Sequence, residues 1–326
     1  MTTLIARAVE HRQPLLIPGA PGIGKTDLVY QAATIVDADV IISHPVVDDP
    51  VDYKGMPFVV NGKAMFLPFG NLNRAIEAKK PTIYFMDDLG QAPEAVQAAA
   101  MQLLLARTIN GHAVSEHVTF IAATNRRQDK AGVRGILEPV KSRFTSIVEL
   151  ESDRSDWTDW ALKNDVETPV IAFIQFRPEL LHKFEATADL INSPCPRTVV
   201  NVSEVLKMGL PKNMEFEVIT GTVGEAFATE FMAFLKIYRN LPNPDSVLMN
   251  PTTAMVPDDP STQFALCLAL AERATDANIE RLAEYADRLP EEFSVLCVNS
   301  VVKRDPALSN TRAYLKWFNG HQEILC

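Results

Sequence analysis

The stretch GAPGIGKTDLVY limits the fold of this chain more than any other feature of the sequence, and it begins at Gly19, directly after the apolar run Leu15–Ile17. Gly19, Gly24, Lys25 and Thr26 satisfy the pattern G-x-x-x-x-G-K-[ST] in the strand, loop and helix order that the pattern requires. Glycines free the backbone to curl around an anion, so that several N–H groups point inward. The stretch therefore predicts a loop that holds the phosphates of a nucleotide. A glycine- and proline-rich turn that matches by chance is the alternative.

The residues of this phosphate loop (residues 19–26) and of the helix after it have distinct predicted roles. A helix over Asp27–Ala33 would direct its positive N-terminal end at the phosphates. Lys25 would reach the terminal phosphates, and the Thr26 hydroxyl would bind magnesium. The residues predicted to bind the nucleotide are Gly19, Ala20, Pro21, Gly22, Ile23, Gly24, Lys25, Thr26 and Asp27.

Composition limits the class of protein. A chain of 326 residues with 47% hydrophobic content can bury a large core and divide into two or three domains. Its apolar runs fall short of the roughly 18 residues that span a bilayer. The N-terminal stretch MTTLIARAVEHRQP lacks a signal-peptide layout, so we expect a cytoplasmic protein without membrane contact.

Cysteine spacing and charge exclude further classes. The four cysteines form no C-x-x-C pair, which favours buried free thiols over a zinc site or a disulfide framework. They are Cys195, Cys267, Cys297 and Cys326. The formal net charge of −10 argues against a protein whose whole surface binds DNA, although a local basic stripe is compatible with it.

The first half of the chain alternates apolar runs with helical patterns. This alternation predicts an α/β fold with a parallel sheet covered on both faces, whose ligands gather at the carboxyl ends of the strands. The predicted strands are Leu15–Ile17, Val40–Ile42, Ile83–Met86, Val118–Ala122 and Ser146–Leu150.

Two β-hairpins are predicted as insertions in this pattern. The Asn61-Gly62 turn, between Phe58–Val60 and Ala64–Leu67, precedes a predicted helix over 71–79. A second Asn-Gly turn at 110–111 follows a predicted helix over 92–107. Ordinary connecting loops are the alternative at both places.

From Glu151 onward the pattern is helical. Short helical segments separated by proline and polar turns resemble a small lid, and a stretch rich in proline, asparagine and aspartate over 241–260 is expected to be a loop. We therefore predict three parts: a nucleotide-binding α/β domain (1–150), a helical lid (151–213) and a helical C-terminal region (214–326).

The stretch IYFMDDLGQAP delivers two carboxylates to the end of a strand. Asp87 stands where a magnesium-coordinating carboxylate belongs. Asp88 would position or polarise the attacking water, since phosphoryl transfer requires an in-line nucleophile. A helix N-cap is the alternative for these aspartates.

Three more side chains are candidates for catalysis. Asn125 ends the strand in FIAATNRRQ and could orient the water or the γ-phosphate, or be a turn residue. Arg143 in GILEPVKSRF could neutralise charge on the transferring phosphoryl group, or form a surface salt bridge. Arg197 in SPCPRTVV opens a helix, which is unfavourable for a cation unless an anion is nearby.

Together these motifs resemble AAA+ ATPases of the MoxR group over about the first 210 residues. GAPGIGKT looks like Walker A, IYFMDD like Walker B, AATN like sensor 1, EPVKSRF like the arginine-finger box and PCPR like sensor 2. The two hairpins stand where this group carries its helix-2 insertion and its pre-sensor-1 hairpin. The phrases DDPVDYKGMP, QAPEAVQAA and FRPELL are similar to a bacterial and phage subgroup often paired with von Willebrand A-type proteins.

The resemblance implies a ring, usually a hexamer, that binds ATP or ADP with Mg²⁺. It implies that Asp87 holds magnesium, Asn125 senses the γ-phosphate and Arg143 reaches the neighbouring subunit's site. Whether Arg197 serves its own subunit or a neighbour stays open. The family normally has Glu where this chain has Asp88. The shorter side chain could still work through a displaced water, or it could slow hydrolysis by about 100-fold.

Three functions follow as hypotheses. The leading one is an ATP-driven remodeller of a protein client, such as a von Willebrand A-domain protein. A motor or loader for nucleic acid is less favoured, because its basic run would also suit a subunit interface that faces a triphosphate. A nucleotide-gated scaffold with weak hydrolysis is the third, and Asp88 motivates it. The basic run consists of Arg126, Arg127, Lys130, Arg134, Lys141 and Arg143.

Overall fold

The computed structural model describes residues 1–129, 132–187 and 189–321. Lys130 of the basic run and Cys326 lie outside the described residues. The chain divides into two compact units, Met1–Glu151 and Ser152–Cys326.

The first unit is an α/β fold built on a five-stranded parallel sheet. Its strands are β1 (Leu15–Pro18), β2 (Asp39–Ser43), β3 (Met56–Val60), β4 (Lys63–Leu67), β5 (Thr82–Met86), β6 (Thr108–Ile109), β7 (His112–Ala113), β8 (Val118–Thr124) and β9 (Ser146–Ile147). Its helices are α1 (Thr2–Glu10), α2 (Lys25–Ile35), α3 (Pro50–Lys54), α4 (Gly70–Glu77), α5 (Glu94–Ala106) and α6 (Glu138–Lys141). The sheet has the strand order β2-β5-β8-β1-β9, and the predicted fold class is confirmed.

Both faces of this sheet are buried, which explains the continuous apolar runs of its strands. In β5, Ile83 and Phe85 belong to one hydrophobic cluster, whereas Tyr84 and Met86 belong to another. Successive residues of a strand point to opposite faces, so one apolar run supplies two cores. The carboxyl ends of β1, β5 and β8 are thereby fixed side by side.

The last strand is shorter than predicted. Hydrogen bonding assigns β9 to Ser146–Ile147 instead of 146–150. The backbone beyond it still follows β1, because the Leu150 N–H donates to the Pro18 carbonyl over 2.8 Å. A parallel bridge also joins Leu150 to Gly19. The predicted segment therefore lies beside the first strand, although its end is not regular strand.

Both predicted hairpins are present. The first hairpin (residues 56–67) turns at Asn61 and Gly62, whose φ angles of 51° and 74° are the positive values that a tight two-residue hairpin turn requires. The second hairpin (residues 108–113) pairs β6 with β7. Asn110 Nδ2 donates to the Lys54 carbonyl over 2.7 Å, and His112 Nε2 lies 3.0 Å from the Phe66 carbonyl. The second hairpin is thus hydrogen-bonded both to the first hairpin, at Phe66, and to the end of α3, at Lys54.

The second unit is helical over its described residues. Its helices are α7 (Arg154–Ala161), α8 (Thr168–Phe176), α9 (Pro196–Lys207), α10 (Lys212–Val223), α11 (Glu225–Arg239), α12 (Pro244–Met249), α13 (Pro260–Arg273), α14 (Ile279–Ala286), α15 (Glu291–Arg304) and α16 (Arg312–Gly320). Phe173 of α8 packs edge-on against Phe227 and Phe231 of α11. The border predicted between 213 and 214 falls inside α10, and helices on both sides share one core. The division into lid and C-terminal region stays a prediction.

The prediction of a loop over 241–260 is wrong in part, because this stretch contains α12. Its asparagine and proline form a helix start. The Asn243 side chain accepts hydrogen bonds from the backbone N–H groups of Asp245 and Ser246, and Pro244 takes the first helical position.

Among the helices of the described residues, none has both the length and the apolar character that a bilayer crossing requires. Cys195, Cys267 and Cys297 are buried and free.

Candidate nucleotide site

The phosphate loop connects β1 to α2, and its shape depends on glycine. Gly22 and Gly24 have φ angles of 72° and 91°, a left-handed conformation that L side chains rarely adopt. A Cβ atom on Gly19 would lie 2.7 Å from Ile23 Cδ1 and 3.0 Å from the Leu150 carbonyl oxygen. The pattern glycines thus stand where side chains would strain or block the loop.

Lys25 is the buried cation of this loop, with 8% of its surface exposed. Its ammonium donates to the carbonyl oxygens of Gly19 and Ala20 over 3.0 and 2.9 Å, and to Asn125 Oδ1 over 2.8 Å. These acceptors offset the cost of burying a charge. Phosphate oxygens would be stronger acceptors for the same ammonium.

Thr26 and Asp87 form a pair of oxygen donors beside the loop. The Thr26 hydroxyl donates to Asp87 Oδ2 over 2.9 Å. A hydroxyl and a carboxylate are the hard oxygen ligands that Mg²⁺ prefers, and Mg²⁺ commonly takes one or two protein ligands and completes its shell with water and phosphate. The donor set therefore fits magnesium with ATP.

Asp88 lies next to the same cluster. It adopts a left-handed conformation (φ 59°), and its Oδ1 accepts a hydrogen bond from Asn125 Nδ2 over 3.2 Å. It precedes a short 3-10 helix, Leu89–Gln91, but its side chain makes no capping hydrogen bond to that helix. The N-cap alternative for Asp88 is therefore not supported.

Asn125 bridges the two sides of the site. It is buried at the end of β8, and its amide accepts from Lys25 while it donates to Asp88. The fold brings together residues from the phosphate loop, from the end of β5 and from the end of β8. These ends are neighbours because β8 lies between β5 and β1 in the sheet.

Among the described residues, Arg143 makes no hydrogen bond with this cluster. Arg143 follows α6; its Nε is buried without a hydrogen-bond partner, and no ion pair of its guanidinium is found among the described residues. Arg197 is exposed in the first turn of α9, in the second unit. Within the described part of the chain it too lacks an ion pair.

Sequence reasoning placed Arg126 in a basic run and missed its neutralisation. Its guanidinium forms a two-pronged pair with Asp129, over 3.0 and 2.9 Å, and a further pair with Glu149 over 2.9 Å. The hydrogen bonds to Asp129 and then Glu149 raise the pKa of Arg126 above its usual value. Lys141 likewise pairs with Glu138. Among the described residues of the run, only Arg127 and Arg134 are exposed.

Sequence reasoning also missed Ser43. Its backbone carbonyl, at the end of β2, accepts a hydrogen bond from the Asp87 N–H over 3.0 Å. A serine at the end of an apolar strand gives no signal of such a role, because the contact depends on which strand becomes the neighbour of β5.

A parallel sheet, a glycine loop between its first strand and the next helix, and a carboxylate at the end of a nearby strand define a P-loop nucleotide-binding domain. Residues 15–152 match the model of the ATPase family associated with various cellular activities (AAA), so this part of the chain is similar to AAA ATPase domains.

Three solved structures are remotely similar to the chain. A RuvB variant from Thermotoga maritima is 16% identical, with 77% of this chain and 73% of that chain covered and a TM-score of 0.42. A second RuvB variant from the same organism is 15% identical, with 98% and 85% covered and a TM-score of 0.41. NtrX from Brucella abortus, in complex with ADP, is 14% identical, with 99% and 67% covered and a TM-score of 0.45. No curated protein matches the chain.

Proposed function

We propose that the chain binds ATP with Mg²⁺ and hydrolyses it to ADP and phosphate. The observation that carries this proposal is the Thr26 hydroxyl 2.9 Å from the Asp87 carboxylate, next to a buried lysine on a glycine loop. Lys25 would exchange its loop carbonyl acceptors for phosphate oxygens. Thr26 and Asp87 would hold magnesium, which when bound neutralises charge on the phosphates.

Asp88 and Asn125 are the residues we assign to the hydrolytic step. The Asp88 carboxylate would orient the attacking water and accept its proton. Asn125 holds that carboxylate through its NH₂ group, and it would contact the γ-phosphate. Asp88 is one methylene shorter than the glutamate of the family that the sequence resembles, so we expect slow turnover.

Arg143 supports a ring in which subunits share sites. A buried Nε without a partner is costly, and an anion from outside the chain would satisfy it. We infer that Arg143 completes the site of a neighbouring subunit in a hexameric ring of MoxR type. Arg197 is a second candidate for phosphate contact, in the same or a neighbouring subunit.

The first hairpin supports a protein client. Met56, Phe58, Val59, Met65 and Phe66 are all at least 41% exposed. Lys63 is the one charged residue of the hairpin, whereas nucleic-acid binding relies on several cations along the backbone. Exposed apolar patches mark protein interaction sites. We therefore propose a cytoplasmic remodeller of a protein, with a von Willebrand A-domain protein as the first candidate client.

The two alternative functions, a nucleic-acid motor and a nucleotide-gated scaffold, depend on different residues. A nucleic-acid motor would use the basic run, but Arg126 and Lys141 are already paired within the chain. A nucleotide-gated scaffold would bind ATP and form rings with almost no turnover, and the short side chain of Asp88 favours it.

The Lys25→Ala variant tests ATP binding and hydrolysis. It should abolish ATP turnover and weaken ATP binding, whereas Lys80→Ala, which removes an exposed lysine paired with Asp39, should leave both unchanged. Turnover is measured as phosphate release, and binding with a fluorescent ATP analogue. A Lys25→Ala protein that hydrolyses ATP at the wild-type rate would falsify the assignment. Sedimentation with a non-hydrolysable analogue reports the ring, and strong binding without turnover in the wild type would select the scaffold.

A further inference from the structure

The segment DDPVDYKGMP, residues 48–57, has no part in the chemistry proposed above. It contains α3 and leads directly into the first hairpin. Asp49 and Asp52 cap α3 reciprocally. Gly55 then turns the chain with a φ of 86°, and a Cβ on it would lie 2.8 Å from the Leu67 carbonyl oxygen. α3 thus has a capped start, and Gly55 connects its end to the hairpin where the Leu67 backbone passes close by.

A buried polar cluster anchors α3 to the end of β2. Asp48 Oδ2 accepts hydrogen bonds from the Ser43 hydroxyl and from the Tyr53 hydroxyl, each over 2.6 Å, and the two hydroxyl oxygens lie 2.5 Å apart. Ser43 and Tyr53 are 1% and 0% exposed. Burial and then the hydrogen bond to Asp48 raise the pKa of Tyr53 well above its usual value, so its hydroxyl stays a proton donor. Charge-assisted bonds of this kind are strong and directional.

One backbone hydrogen bond links the cluster to Asp87, the proposed metal ligand. Ser43 is the residue whose carbonyl accepts the Asp87 N–H, and it pairs with Met86 in the sheet register. The position of the Asp87 backbone relative to Thr26 therefore depends on where the end of β2 is held. Groups that orient a metal ligand typically change metal affinity by about 10- to 100-fold when removed.

We propose that Tyr53 and Asp48 are positioning residues for Asp87: they hold the end of β2 so that the Asp87 carboxylate meets Thr26 in the geometry that magnesium requires. This inference rests on the proposed function for its metal. It also assigns a role to the segment that carries the first hairpin, since Tyr53 fixes α3 at the nucleotide site.

A Tyr53→Phe variant tests the proposal, because it removes one hydroxyl and keeps the ring. The readout is the affinity for a fluorescent ATP analogue, measured in EDTA and across a magnesium titration, so no turnover is needed. We expect affinity in EDTA to stay within about twofold of the wild type, and the magnesium concentration for half-maximal tightening to rise about tenfold.

Tyr285→Phe is the matched control. It removes an equally buried tyrosine hydroxyl, which donates to the Met255 carbonyl over 2.9 Å in the second unit. It should lower the thermal midpoint without moving the magnesium titration. Asp48→Asn is a second variant that should shift the titration in the same direction as Tyr53→Phe.

An unchanged titration in folded Tyr53→Phe, or an equal shift in Tyr285→Phe, overturns the proposal. So does failure of both Tyr53→Phe and Asp48→Asn to fold, since the cluster would then be structural. A wild type that binds magnesium and ATP without hydrolysis refutes the ATPase and leaves the titration readable. A wild type that binds no ATP refutes both proposals.

Discussion

Asn125 donates a hydrogen bond to the carboxylate of Asp88 over 3.2 Å. The fold itself therefore holds the two proposed hydrolytic residues together. The same amide accepts from Lys25. Strand order makes this possible, because Asp88 follows β5, Asn125 follows β8, and these strands are neighbours.

Lengthening Asp88 should accelerate the reaction. Asp88→Glu carries the carboxylate about one ångström further toward the water, and displacement on that scale changes rates by up to about 100-fold. We expect kcat to rise at least several-fold with little change in KM, measured as steady-state phosphate release. Asp88→Asn is the control and should lower kcat below the wild type. A fall in kcat for Asp88→Glu would show that the site is already matched to the shorter side chain.

Removing the bridging amide should affect chemistry more than binding. Asn125→Ala removes one hydrogen-bond donor from Asp88 and one acceptor from Lys25, so kcat should fall by about 10²-fold, as for loss of one preorganised donor. ATP affinity should change much less. The matched control is Asn192→Ala, which removes an exposed amide that donates to the Gly221 carbonyl in the second unit. Equal kcat for wild type and Asn125→Ala would remove Asn125 from the mechanism.

Glycine substitutions should separate backbone strain from loss of the site. Gly24→Ala and Gly62→Ala both place a Cβ at positive φ, 91° and 74°, where a left-handed residue costs about 1–2 kcal/mol. Gly62 lies at the turn of the first hairpin with open space around it. Both variants should unfold at lower denaturant, but only Gly24→Ala should lose ATP binding. Normal binding by Gly24→Ala would argue against the phosphate loop.

Arg143 should act between subunits. Arg143→Ala should lower turnover by about 10³-fold or more, as for loss of a trans-acting arginine, with ATP binding retained. Mixing Arg143→Ala with Lys25→Ala should restore part of the activity, because one shared site then has an intact lysine from one chain and an intact arginine from the other. Co-assembled variants that show no recovery would place Arg143 outside the neighbouring site.

Local features of the sequence were sufficient to predict the phosphate loop, most of the sheet strands and the hairpin turns. A glycine loop needs positive φ at fixed positions, and Gly22 and Gly24 meet that need within a few residues. The Asn-Gly turns and the two-faced apolar runs are equally local, and they predicted the hairpins and the parallel sheet. The last strand and the stretch over 241–260 were predicted less well, because strand regularity and helix starts depend on hydrogen-bond partners that composition does not specify.

The contacts of the site required the tertiary structure. Thr26 and Asp87 are 61 positions apart, and Lys25 and Asn125 are 100 apart. The cluster of Ser43, Asp48 and Tyr53 was not predicted at all. The sequence determined which side chains stand at the ends of strands, and folding decided which of those ends are neighbours. Side-chain chemistry acts over about three ångströms, whereas the order of strands in a sheet is fixed by how the whole set of apolar faces packs.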